Sequence, residues 1–131
     1  ANYVVAGRGE VRDLTSGESH PLLPGTLYTV GPRDRHVVAA AEDLRIVSVF
    51  NPPVVGDETH DADGAYPPSG PVPPGRGRMF VKTLAALRAA GRGKVVAGGA
   101  ARTVGMLLAE GGGGFTLSYV REAAGNASVL W

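Results

Sequence analysis

Short apolar runs separated by turn residues make up most of the chain. Residues 2–6 and 26–30 are rich in β-branched and aromatic side chains, which favours strands. Glycine, proline and asparagine lie between such runs, as in Pro24-Gly25, which is a signal for a type II turn. The pattern predicts many short strands joined by tight turns, typical of an all-β sandwich or barrel.

The strands fall at regular intervals that suit a jelly roll. The first two are expected to form a hairpin closed by Gly7-Arg8-Gly9. One short helix is predicted over residues 84–90, capped by Thr83 and ended by Gly91. The predicted strands cover residues 2–6, 10–14, 20–23, 26–30, 36–40, 43–50, 79–81, 94–97, 102–109, 115–121 and 127–131.

Length, charge and cysteine content narrow the class of protein. The chain has 131 residues, of which 44% are hydrophobic and 19% charged, so it is expected to bury one core. Its net charge of +1 disfavours a nucleic-acid partner, and no apolar run approaches the roughly 20 residues of a membrane span. The absence of cysteine excludes disulfides and thiolate chemistry and favours the cytoplasm. With nucleic acid and membrane disfavoured, a small molecule is the expected partner.

Candidate chemistry gathers where one apolar run stops. The run that reaches Phe50 is ended by Asn51-Pro52-Pro53, because proline lacks the ladder N–H and fixes φ. Ionisable side chains at positions 57, 58, 60, 61 and 63 follow in a short irregular segment. They are therefore expected at the mouth of the cavity that the strand helps to enclose.

The sequence VFNPPVVGDETHDADGAYP resembles the C-terminal end of the ectoine synthases, members of the cupin superfamily. The segments GRGEV and PGTLY and the spacing from Tyr28 to His36 fit the same family in the same order, so the resemblance covers residues 1–67. It implies an all-β cupin jelly-roll barrel that carries one short helix. It also implies a homodimer, which is the usual state of the family.

The rest of the chain resembles the same family in the wrong order. The segment MFVKTL, from Met79, looks like the opening of an ectoine synthase, and GFTL with the residues after it is similar to its following strands. We therefore expect one circularly permuted cupin barrel over residues 1–131, in which 1–66 match the C-terminal half of the family, 67–78 form a Pro/Gly linker and 79–131 match the N-terminal half. A slice through two tandem copies would look identical.

The resemblance also implies a metal site. Ectoine synthases hold iron through a glutamate, a tyrosine and a histidine, and Tyr28 and His36 fall on the matching positions. The glutamate would lie immediately before Ala1, outside the given sequence. Fe²⁺ is the expected metal, with another divalent ion such as Zn²⁺ as the alternative. The competing interpretation is a strand tyrosine in the core and a histidine at the start of a strand.

Further site residues follow from the same match. Glu58 and His60, after Gly56, fit the family pattern G-x-E-x-H, which implies substrate contact and proton transfer; the alternative is a solvated acidic loop. Phe50, Pro52, Gly56 and Trp131 match positions that line the substrate pocket, although Phe50, Pro52 and Trp131 could equally pack.

The resemblance implies a metal-dependent lyase that closes a ring with loss of water on an N-acetyl-diamino acid. The family reaction makes ectoine from γ-N-acetyl-2,4-diaminobutyrate. A related substrate is favoured here, because Ala101 and Gly105 stand near the places where the family carries a tryptophan and an arginine that would pair with a substrate carboxylate. The alternatives are a non-catalytic small-molecule-binding cupin and an iron-dependent cupin dioxygenase.

Overall fold

The computed structural model describes residues 1–31, 34–51, 53–54, 56, 59, 62, 79–91, 93–95, 102–108, 117–122 and 124. The chain divides into two compact units, Ala1–Lys82 and Thr83–Trp131. Among the described residues, no helix has the length and apolar character needed to cross a bilayer. The interpretation of residues 1–131 as one permuted barrel stays a prediction.

Two sheets make up the described part of the first unit. One has the strand order β6-β1-β4-β7 and the other β3-β2-β5. The strands are β1 Asn2–Ala6, β2 Gly9–Asp13, β3 Ser19–Leu22, β4 Thr26–Thr29, β5 His36–Ala40, β6 Arg45–Ser48 and β7 Phe80–Thr83. The all-β prediction is confirmed, and β1 and β5 have the bounds that the sequence pattern predicts.

The second unit holds the short helix and a three-stranded antiparallel sheet. Helix α1 spans Leu84–Ala89, and Thr83 caps it through Oγ1, which accepts a hydrogen bond of 3.1 Å from the backbone N–H of Ala86. Strands β8 Gly93–Val95, β9 Arg102–Leu108 and β10 Leu117–Glu122 form a sheet of order β10-β9-β8. The predicted helix and its cap are confirmed, and the strand predicted over residues 127–131 lies outside the described residues.

A small apolar core joins the two sheets of the first unit. Val4 and Tyr28 come from one sheet, Val11 and Leu22 from the other, and all four are buried in one cluster. Because successive strand residues point to opposite faces, these four positions define the inner faces of the two sheets. Five partly buried residues pack around them: Val30, Leu44, Ile46, Met79 and Val81.

The hairpin predicted between the first two strands is wrong. Strand β1 pairs with β4 and β6, whereas β2 pairs with β3 and β5, so Gly7-Arg8-Gly9 carries the chain from one sheet to the other. Gly7 has a φ of +82°, and a Cβ there would overlap the carbonyl oxygen of Asp43. The Arg8 carbonyl accepts hydrogen bonds from the N–H groups of Ala41 (2.9 Å) and Glu42 (3.0 Å). These glycines therefore allow two crossing segments to approach closely.

The core makes a quantitative prediction for two adjacent leucines. Leu22 is 0% exposed, whereas Leu23 is 44% exposed. Leu22→Ala is expected to lower the free energy of unfolding by about 2–5 kcal/mol, because it removes buried methyl groups and leaves a cavity. Leu23→Ala is expected to change it by less than about 0.5 kcal/mol. Urea unfolding followed by circular dichroism measures both, and equal effects would contradict the assignment of Leu22 to the core.

Candidate functional site

Tyr28 lies on the inner face of β4. It stands directly opposite Asn2 of β1 in the antiparallel register and is 3% exposed. Burial raises the pKa of the Tyr28 phenol above its usual value, because the phenolate would lose its hydration. In the protein alone, the side chain therefore presents a neutral hydroxyl group.

His36 opens β5 on the facing sheet. It stands opposite Asp13 of β2 and shares the inner face with Val11. Its ring centroid is 6.3 Å from that of Tyr28, and the two ring planes are inclined at 66° in an edge-on arrangement. The structure thus brings together the two residues that the sequence analysis proposes as metal ligands.

Asp34 fixes the loop that precedes His36. Its Oδ2 accepts a hydrogen bond of 2.6 Å from the backbone N–H of Gly31, and its own backbone N–H donates to the carbonyl of Gly31 at 3.1 Å. The Asp34 carbonyl oxygen lies 3.2 Å from Nδ1 of His36. A carbonyl can only accept, so Nδ1 carries the hydrogen of the neutral imidazole and Nε2 keeps its lone pair. That is the tautomer in which Nε2 can serve as a ligand or base.

Asp13 organises the turn on the other side of His36. It accepts hydrogen bonds from the backbone N–H of Thr15 at 2.7 Å and from Oγ of Ser16 at 2.9 Å. These hydrogen bonds, that of Thr15 first, hold the pKa of the Asp13 carboxyl below its usual value. Leu14 donates to the carbonyl of Arg35 at 2.8 Å, so the turn also secures the start of β5.

Asn2 and Ser48 provide polar groups beside Tyr28. Asn2 lies between Tyr28 of β4 and Ser48 of β6 in the register, and Oγ of Ser48 donates to Oδ1 of Asn2 at 2.8 Å. Mutual backbone hydrogen bonds between Ala1 and Val49, each 2.8 Å, extend the pairing beyond β6. Phe50 lies two residues beyond Ser48, with 48% of its surface exposed.

Of the remaining predicted site residues, the structure describes Gly56. It lies in a bend with a φ of +98°, a conformation that favours glycine, and a Cβ added there would have no atom within 4 Å. Glu58, His60, Pro52 and Trp131 lie outside the described residues. Their roles stay predictions.

The fit of a metal ion rests on Tyr28 and His36. A phenol oxygen and an imidazole nitrogen are donor types that suit iron and zinc, and the two rings come from facing sheets. Within the described part of the chain, no group of three or more His, Cys, Asp or Glu side chains could hold a metal ion. The two residues thus fit as part of a ligand set that needs further donors.

Comparison with known proteins identifies the family. The ectoine synthase family model matches residues 1–70, which contain both facing sheets up to β6 together with Tyr28 and His36. The chain belongs to the ectoine synthase family. This family has the cupin fold, in agreement with the β-rich architecture.

The individual relatives match the same half of the chain. An L-ectoine synthase of Desulfatibacillum aliphaticivorans is 51% identical over 67 residues, which cover 51% of this chain and 52% of the relative. An L-ectoine synthase of Mycobacterium sp. (strain KMS) is 52% identical over 67 residues, with the same coverage. One from Saccharopolyspora erythraea is 49% identical over 67 residues, or 51% of this chain and 50% of the relative.

The chain spans about half the length of the curated relatives that it matches. A search of solved structures found no match. The family of the chain is thus established by sequence, and the arrangement of the site by the register and contacts described above.

Three residues near the site were missed by the sequence analysis. Asn2 and Ser48 look like ordinary strand positions, and only the register shows that they neighbour Tyr28. Asp34 had a local signal, because aspartate side chains in loops commonly form hydrogen bonds with nearby backbone groups.

Asp34→Ala is expected to change the tautomer of His36. The substitution removes the acceptor that closes the loop on Gly31 and so loosens the carbonyl that binds Nδ1. Loss of one hydrogen bond of ordinary strength predicts a shift of about 2- to 10-fold towards the Nε2–H tautomer. Imidazole ¹⁵N chemical shifts in the metal-free protein, assigned with His36→Gln, measure this ratio.

The control for this experiment is Glu42→Ala, which removes an acid from an exposed ion pair with Arg8. Its His36 tautomer ratio should equal that of the unmodified protein. An unchanged ratio in Asp34→Ala would refute the positioning role of Asp34.

Asp13→Asn is expected to flatten the acid limb of the stability curve. Since the pKa of Asp13 is lowered in the folded protein, its contribution to stability is complete above the usual carboxyl pKa of about 4 and is lost as the pH falls through the lowered value. The variant should melt at a lower temperature near neutral pH, and this difference should shrink under acid conditions. Thermal melts across the acid range test the prediction, and a constant difference would contradict it.

Proposed function

We propose that this chain forms part of an ectoine-synthase-like carbon-oxygen lyase, a hydro-lyase that closes a ring on an N-acetyl-diamino acid or a related small substrate. The observation that carries the proposal is the family match over residues 1–70, in which Tyr28 and His36 face each other across two sheets. The relatives that match this segment are L-ectoine synthases.

The proposed reaction joins two ends of one molecule. The free amine nitrogen attacks the carbonyl carbon of the N-acetyl group, so that a C–N bond forms. The C–O bond then breaks, and the oxygen leaves as water with the two protons that the amine nitrogen gives up. Glu58 and His60 are the proposed proton carriers, as the family resemblance implies.

Fe²⁺, or another divalent ion such as Zn²⁺, is the proposed cofactor, with Tyr28 and His36 among its ligands. When bound, such an ion supplies Lewis acidity towards a carbonyl oxygen. The free Nε2 lone pair of His36 suits ligation, because Nδ1 donates to the Asp34 carbonyl. Burial keeps the Tyr28 phenol protonated, and a nearby cation is the interaction that would favour its phenolate.

The proposal extends to the pocket and its surroundings. Phe50, Pro52, Gly56 and Trp131 are proposed to line the substrate, and the exposed ring of Phe50 beside Ser48 is consistent with this role. A related substrate is favoured over γ-N-acetyl-2,4-diaminobutyrate, because Ala101 and Gly105 stand near the positions where the family carries a tryptophan and an arginine. A homodimeric state and a cytoplasmic location complete the proposal.

We also propose that the chain is circularly permuted. Strand β7, which follows the Pro/Gly-rich segment, lies beside β4 in the sheet of the family-matched half. Met79 and Val81 pack against the core cluster that includes Tyr28. This placement supports the idea that the segment after the linker supplies a strand that the family-matched half needs.

The test is an assay of the full-length protein loaded anaerobically with Fe²⁺. We expect bound iron, and formation of ectoine or a homologous ring product detected by NMR when γ-N-acetyl-2,4-diaminobutyrate and longer or shorter N-acetyl-diamino acids are supplied. Tyr28→Phe and His36→Gln should each lower iron content and reduce kcat/KM by roughly 100-fold or more, since even residues behind metal ligands cost about 10- to 100-fold.

Tyr3→Phe is the matched control for Tyr28→Phe. Tyr3 lies next to Asn2 on the opposite face of β1, so its substitution removes the same hydroxyl group outside the proposed site. Failure to bind iron and to form any ring product would overturn the proposal. Ligand binding without turnover would favour the non-catalytic cupin, and substrate-dependent oxygen consumption would favour the dioxygenase.

A further inference from the structure

The side chain of Asn2 occupies a special position in the first unit. Its register partners are Tyr28 on one side and Ser48 on the other, and it shares a face with buried Val4. Asn2 therefore belongs to the inner face, in the row of side chains that contains Tyr28, and it is only partly buried. A polar side chain at such a position can reach both the core tyrosine and a molecule that enters beside it.

Ser48 sets the orientation of this amide. Its hydroxyl donates to Oδ1 of Asn2 at 2.8 Å, so the carbonyl end of the amide is turned towards β6. Within the described part of the chain, Nδ2 of Asn2 has no hydrogen-bond acceptor. Two N–H donors are thus held in a fixed direction by a neighbouring strand, and donors placed in this way on rigid elements are suited to recognition.

The groups around Asn2 select the chemistry of the ligand. Tyr28 lies beside Asn2 in the strand register, and Phe50, two residues beyond Ser48, is 48% exposed. A small ligand that offers an acceptor oxygen next to an apolar group fits this arrangement.

We propose that Asn2 is a specificity-determining residue of the site, whose amide N–H group donates to a carbonyl or carboxylate oxygen of the small-molecule ligand while Ser48 holds the amide in place. The inference rests on the proposed function, because that function supplies a ligand with oxygens of both kinds. It adds to the site a residue from a strand that contributes neither of the proposed metal ligands.

The test compares Asn2→Asp, Asn2→Thr and Ser48→Ala in the full-length, Fe²⁺-loaded protein. Ectoine is the binding probe, and γ-N-acetyl-2,4-diaminobutyrate is the substrate. Asn2→Asp retains the size of the side chain but has no donor when ionised, so it should raise KM by about 10- to 100-fold with kcat changed by less than about threefold, and it should weaken ectoine binding to the same extent where the acceptor is the carboxylate. Asn2→Thr suits a strand and should weaken binding in the same direction.

Ser48→Ala frees the amide without removing it. Binding should weaken by about 2- to 10-fold, as expected for one neutral hydrogen bond, and the effect should vanish in the Asn2→Thr background, since no amide is left to orient. Val47→Ala is the control, because Val47 lies on the outer face of the same strand and is 54% exposed. It should leave ectoine binding and KM unchanged.

Ectoine and the substrate together distinguish the two acceptor types, because the ring product keeps only the carboxylate oxygens once the carbonyl oxygen has left as water. In Asn2→Asp, weaker ectoine binding together with a raised KM indicates a carboxylate partner, whereas a raised KM with unchanged ectoine binding indicates a carbonyl partner. Unchanged binding and KM in both Asn2 variants would overturn this inference and leave the proposed function intact. If the unmodified protein neither binds ectoine nor forms a ring product, the proposed function and this inference both fall.

Discussion

The contact between two sheets through one thin apolar layer is the constraint on which the first unit depends. Val4 and Tyr28 meet Val11 and Leu22 across this layer, and all four are buried. Such burial contributes roughly 1.5–3 kcal/mol for each large apolar side chain, which makes it the main favourable term for so small a core. Several strands that are close in sequence belong to different sheets, so the chain passes repeatedly from one sheet to the other. The turns between these strands must therefore span the gap between the sheets.

The strands could be predicted from the sequence because their signals are local. β-Branched runs bounded by glycine and proline gave β1 and β5 their observed bounds, and Thr83 marked the start of α1. The pairing could not be predicted in the same way. Gly7-Arg8-Gly9 has the chemistry of a hairpin turn, but glycines are also required where two backbones cross, and here the partner is Asp43. Nothing in the sequence close to Gly7 distinguishes these uses.

The residues of the candidate site differ in the same way: some could be predicted from local sequence signals, and others depend on contacts between distant segments. Tyr28 and His36 could be named because their spacing matches a family, and the structure places their rings 6.3 Å apart. Asn2 could not be named, since its importance arises from strands that lie far away along the chain and supply its register partners, Tyr28 and Ser48. Asp34 is an intermediate case. Its loop position could be recognised in the sequence, but the hydrogen bond between its backbone carbonyl and the His36 ring could not.

The placement of the site makes its geometry depend on the core. Tyr28 is both a core residue and a proposed ligand, since its ring packs in the apolar layer and also lies next to the ring of His36 of the other sheet. If the layer loosened, the distance between the sheets would change and the two side chains would separate. Interiors at native density resist such shifts, so packing around Val4 and Val11 helps to hold the proposed ligands in position. Core residues that never touch a ligand are thereby expected to influence the affinity of the site, through the spacing of the sheets rather than through any contact with the bound molecule.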